Sequence, residues 1–254
     1  MAWRRTAKRP PLEPETIDAI VRRTVALAAR LDPARRRRLL ELTAEIVDTR
    51  RWEAVGGLLL TDEVRVTIAA NAAIPILSFD TWPYKDVGSI IVRPGSAASS
   101  GSRSGPAEGT ISDEVIDVIG EALPKSGPVA LSWDAALFDS RHPSRGCNVV
   151  IHEFAHKIDM NDGYADGVPP LRGPELERWE CMLDDEFDHR ESRPSDHVLR
   201  PYAWTNRAEF FAVATETFFC LPGQLQEAKP ELYAVLSDLY QQDPAMNASG
   251  PAQH

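Results

Sequence analysis

The segment NVVIHEFAHKID, residues 148–159, constrains this chain more than any other stretch. It is an apolar run broken by His152, Glu153, His156 and Lys157. On a helix, residues four apart lie one turn apart on the same face. A helix here therefore brings two imidazoles together, while Val149, Val150, Ile151, Phe154, Ala155 and Ile158 bury the remainder. Two neutral imidazoles in that relation suit a Zn2+ ion. Glu153, next to the first of them, is suited to accept a proton from water that such an ion acidifies. The plain alternative is a core helix with two hydrogen-bonded histidines.

The rest of the chain limits what such a helix can serve. With 254 residues and 43% hydrophobic content, it can bury one sizeable core. A net charge of −10 argues against a nucleic-acid or anionic-membrane surface. The basic cluster Arg35–Arg38 reads as a solvated helix face. The basic N-terminus has no apolar run behind it, so it does not read as a signal peptide, and no stretch approaches about 18 consecutive apolar residues. Cys147, Cys181 and Cys220 are odd in number and lack CxxC spacing. They read as free thiols in a reducing compartment, which points to the cytoplasm.

Periodicity and breakers predict a helix-rich α+β protein with a small sheet beside the HExxH helix. One helix is expected over 14–31, and a second from Asp32-Pro33 to about Trp52. A third is capped by Thr61 and ends near Ile74, ahead of Pro75. Strands are expected at 89–94 and over 127–137, the latter with Val129, Leu131 and Trp133 on one face. Further helices fall at 175–187, 208–219 and 230–240. The Gly/Ser-rich segment 95–110 reads as a flexible loop, and residues 1–10 and 246–254 as disordered ends. This divides the chain into an N-terminal helical part, 11–93, packed on a catalytic part, 111–245.

A catalytic zinc needs three protein ligands and an open position. The pattern HExxHxxGxxH is excluded, because its glycine and third histidine positions hold Asp159 and Asp162. A glutamate third ligand leaves several candidates. Glu177 and Glu180 are near the required separation, but on a helix that looks solvated. Glu209 and Glu216 lie inside the strongly apolar segment 201–220, where carboxylates require a partner. They stand two turns apart, and Tyr202 precedes Glu209 by seven residues. His142, Cys147, His189 and His197 are candidates for a fourth ligand that would close the site, but each reads more naturally as a loop or surface residue.

HEFAHKID, the Tyr202–Glu209 pair and EFFAVATETFF resemble the Mlc titration factor A family of zinc metallopeptidases. GGLLLTDEV, IAANAAIPIL, LSWD, GCNVVIHEFAHKID and PELYAVLSDLYQQDP extend the resemblance over most of residues 50–245. It implies a zincin-like catalytic half similar to the protease domain of anthrax lethal factor. It implies one zinc ion per chain held by His152, His156 and Glu209, with Glu153 as base and Tyr202 stabilising the oxyanion. Glu216 enters as a supporting residue. Asp159 is a candidate either for orienting a histidine or for capping the helix end. Trp204 and Arg207 depart from the family pattern beside the Tyr–Glu pair. The implied activity is hydrolysis of a peptide or protein substrate, aminopeptidase-like on small substrates. A regulatory protein that binds a partner such as a transcriptional repressor, with a structural metal, is the competing reading. The segment 131–134 is a candidate edge strand for holding an extended peptide.

Overall fold

The chain folds around two largely buried helices, and these carry the motif residues. A computed structural model describes residues 10–95, 127–189 and 197–248. Helix α5, Val149–Asp159, packs against helix α7, Arg207–Cys220. In α7 every residue from Phe210 to Cys220 is buried, Thr215, Glu216 and Thr217 included. Helix α3, Asp62–Ala73, is buried along nearly its whole length and packs on α5. Around these lie α1, Pro14–Thr24; α2, Pro33–Thr49; α4, Trp133–Arg141; α6, Pro174–Asp188; α8, Pro222–Ala228; α9, Pro230–Tyr240; and α10, Pro244–Ala248. A single apolar cluster runs through the molecule from Ile17 to Ala245. The architecture is α+β and mostly helical. No helix of the described residues is long and apolar enough to cross a membrane.

The sheet has three parallel strands in the order β1, Arg51–Ala54; β2, Ser89–Arg93; β3, Val129–Ser132. Ile90 pairs with Trp52 on one side and Val129 on the other. β3 packs against α5, which puts one edge of the sheet beside the histidine pair.

Several elements differ from the sequence expectation. The helix expected over 14–31 ends at Thr24 and continues as a 3-10 turn, Ala26–Arg30. The second helix stops at Thr49, and Arg51–Ala54 is a strand rather than helix. The backbone of β2 supplies its partner, and Arg50 reaches the carbonyls of Tyr84 and Val87. The strand expected over 127–137 ends at Ser132, and Trp133 and Asp134 open α4. The tail read as disordered over 246–254 is helical as far as Ala248, because Asp243 accepts from the Met246 amide and Tyr233 accepts from Ala245. Residues 96–110, 1–9 and 249–254 lie outside the described residues. Thr61 caps α3 as expected, accepting from Val64 N–H.

Two local devices fix where α5 and α7 begin. Asn148 is the N-cap of α5, and the buried carboxylate of Asp139 accepts from the Val149 amide. The loop after α5 is pinned at Gly167. Its amide donates to Asp159, and its carbonyl accepts from the Trp179 indole. Gly167 has φ of +75°, and a Cβ there would lie 2.2 Å from the carbonyl oxygen of Arg207, at the start of α7. Both the left-handed backbone and the close approach demand glycine.

Gly167→Ala is therefore expected to destabilise the protein by about 1–3 kcal/mol or more in denaturant unfolding. Asp139 yields a pH-dependent prediction. Burial, which outweighs the hydrogen bond from Val149, raises its carboxyl to about 6, and the nearby Glu216 adds to the rise. The unfolded value is about 3.9. The folded state thus binds the proton more tightly, and the stabilisation present at low pH is lost as pH rises from about 4 through about 6. Asp139→Asn removes this titration. Unfolding of both metal-free proteins across pH 4.5–7.5 is expected to favour the variant increasingly up to about pH 6, with a constant difference above.

Candidate metal centre

Helical geometry brings His152 and His156 together on α5, and the packing of α7 brings Glu209 to them. The His152 and His156 Nε2 atoms are 3.2 Å apart, and Glu209 Oε2 lies 3.1 Å from the first and 3.6 Å from the second. Asn206 caps α7 and accepts from the Glu209 amide, which sets Glu209 in the first turn facing α5. His152 is buried, and His156 and Glu209 are only slightly exposed.

The donor set fits a tetrahedral cation. Glu209 Oε2 is buried and accepts no hydrogen bond of normal geometry, although it faces two ring nitrogens. Ligands bound to zinc at about 2.0–2.1 Å in tetrahedral array stand about 3.3 Å from one another. The three observed separations straddle that distance. Among the described residues, His152, His156 and Glu209 are the group of three side chains that could hold a metal ion.

The electrostatics point the same way. Burial alone would depress His152, but Glu216 and Glu209 outweigh it and raise the imidazole to about 10. Burial opposes the charge on Glu209, but the two imidazoles hold its carboxyl far below the usual range. A proton thus occupies the cluster in the metal-free protein, and a cation taking its place would release it. Burial raises Glu153, against the pull of the two histidines.

His152 is oriented from behind. Its Nδ1 donates to Glu216 Oε1 at 2.7 Å, and Arg200 donates to the same oxygen. Glu216 Oε2 accepts from the Asn148 amide at 2.6 Å. A carboxylate only accepts, so Nδ1 carries a proton, and Nε2 is the nitrogen turned to the cluster, where a cation would take the place of a proton. Neither Arg200 nor Asn148 figures in the sequence reading. Asn148 carries a signal that could have exposed it, an Asn directly before an apolar helical run. Arg200 carries none.

The remaining candidates are dispersed. Tyr202 lies on a 3-10 turn, Pro201–Trp204, with its ring centroid 6.2 Å from that of His152. Asp159 binds the Gly167 loop, the capping role. Glu177 and Glu180 are exposed on α6, and His142, His189 and His197 are exposed as well. Cys147, Cys181 and Cys220 are all free thiols. Of the two departures, Trp204 packs on Phe187 and Phe210 with the Lys229 ammonium over its ring, and Arg207 pairs with Asp184. Both are thereby engaged with neighbouring helices.

Comparison with known proteins places the chain among metallopeptidases. The family profile described as glucose-regulated metallo-peptidase M90 matches residues 1–241. An uncharacterized protein of Synechocystis is 33% identical over 93% of this chain and 87% of its own length. Proteins called Mlc titration factor A from Yersinia pestis and Yersinia pseudotuberculosis are each 29% identical over 87% of this chain and 82% of theirs. The similarity thus covers almost the whole sequence, and the chain belongs to the M90 family of metallopeptidases.

Proposed function

We propose that the protein is a zinc-dependent peptidase in which His152, His156 and Glu209 hold one metal ion. The observation that carries this reading is the orphaned Glu209 Oε2, facing two imidazole nitrogens one helical turn apart. When bound, zinc supplies Lewis acidity toward the scissile carbonyl and acidifies water. Glu153 accepts the proton of the attacking water on its carboxylate and returns it to the leaving amine. The burial that raises Glu153 brings it nearer the range in which a carboxylate can do both. Tyr202, beside His152, donates its phenolic hydrogen to the developing oxyanion.

Substrate alignment falls to β3. Among the described residues it pairs only with β2, so its other edge offers backbone groups to an extended peptide beside α5. Small peptides with free amino termini are the proposed substrates, and the cytoplasm, which suits three free thiols, the proposed location. A second reading rests on the relatives' name, which speaks of titrating Mlc. In that reading the chain binds a regulatory protein and the metal serves structure. Glu153 separates the two, because a structural site has no need of a base beside the metal.

Glu153→Gln is expected to retain stoichiometric zinc and lose hydrolysis of amino-acid anilides by about 10²–10⁴-fold. Full activity with metal retained would overturn the assignment of the base. Glu209→Gln is expected to lose zinc itself, measured by metal analysis after dialysis. Tyr202→Phe is expected to lower kcat by about 10²–10³-fold with little change in KM.

A further inference from the structure

A buried chain of hydrogen bonds joins His152 to the N-terminal helices, and its polarity is dictated link by link. Asn148 Oδ1 accepts from the Ile151 amide at the head of α5, so its Nδ2 must donate. It donates to Asn71 Oδ1, on α3, at 2.8 Å. The Asn71 Nδ2 is thereby oriented to donate to the Thr67 carbonyl and to Ser140 Oγ, each at 2.8 Å. Ser140 then passes its own hydrogen to the Thr24 carbonyl at the end of α1. On the other side, the Asn148 amide donates to Glu216, which accepts from His152 Nδ1. Asn71, Ser140, Asn148, Glu216 and His152 are all buried, so no water competes for these bonds.

We infer that Asn71 is a positioning residue for the metal centre, acting through Asn148 and Glu216 to hold the His152 imidazole with Nε2 toward the ion. The inference rests on His152 being a metal ligand, as in the proposed function. Asn148 is the pivot. Its side chain sets the first turn of α5, and its backbone amide sets one oxygen of Glu216. If Asn71 is lost, Asn148 keeps its cap but loses the acceptor that fixes its amide plane. The strain then passes to Glu216 and to the ring it orients. Alternative roles for Asn71 are few. It is fully buried, belongs to the helical layer packed on α5, and makes its hydrogen bonds to Thr67, Ser140 and Asn148 rather than to any of the three ligands.

The test measures zinc affinity by chelator competition, and the ring-nitrogen shifts of His152 by long-range 1H–15N spectra, in the full chain. Wild type should bind one zinc with His152 Nδ1 protonated and Nε2 on the metal. Glu216→Gln should weaken zinc about 10–100-fold, because an amide cannot accept from His152, Arg200 and Asn148 together. Asn71→Ala should weaken it about tenfold, at the lower end of that range, and shift the His152 nitrogens although no ligand is changed. The double variant should lose less than the sum of the two. Wild type alone supplies a second readout should Asn71→Ala not fold. The Asn71 side-chain amide resonances should move on zinc addition, and should not move in Glu216→Gln. Wild-type affinity and unshifted His152 nitrogens in Asn71→Ala would overturn the inference, as would Asn71 resonances in wild type that ignore zinc. A wild-type protein that takes up no zinc through His152 would overturn the peptidase reading itself.

Discussion

One carboxylate organises this molecule. Glu216 is nearly fully buried in an otherwise apolar helix, where an unpaired charge would be several kcal/mol unfavourable. Three donors from two segments close on it: the His152 imidazole, the Arg200 guanidinium and the Asn148 amide. Removing any one leaves the others around an under-satisfied buried charge, so the set behaves as a unit. The register between α5 and α7 follows, because His152 and the head of α5 both answer to the same side chain. With that register set, Glu209, two turns earlier on α7, arrives opposite the two ring nitrogens.

The charge arrangement explains why these helices are so largely buried. A site that orients imidazoles and raises the Glu153 carboxyl needs a medium of low polarity. α5 and α7 supply it with Val150, Ile151, Phe154, Phe210 and Phe211, all buried. α3 closes the rear, and its Asn71 is the polar contact it makes with the head of α5. The N-terminal helices thus enter the same core as α5 and α7, and one hydrogen-bonded path crosses it. β3 packs against α5, and the turn carrying Tyr202 stands beside His152.

Much of this was legible in order along the chain, and the reasons are local. Periodicity marks α5, α7 and α9, and the Thr61 cap marks α3, because apolar spacing and capping chemistry act over a few residues. The short elements were not legible. Arg51–Ala54 is a strand only because Ser89–Val92 lies alongside it, and the residues after Pro244 are helical only because Tyr233 and Asp243 receive their amides. Trp133 continues an alternating pattern yet opens a helix, since β3 ends where its pairing with β2 ends, at Ser132.

The sequence by itself determined the pair His152–His156 and the carboxylate beside it, because a spacing of four on a helix is a geometric certainty once the helix forms. It also determined that Glu209 and Glu216 needed partners, since carboxylates do not sit unpaired in apolar helices. Only the tertiary structure decided which carboxylate faces the metal site and which stands behind the histidine. Residues 64 apart in the chain meet through the packing of two helices and the donors each oxygen finds there. Arg200, Asn71 and Ser140 took their places for the same reason. A polar side chain acquires a role only from what the fold sets opposite it, and no spacing along the chain encodes that.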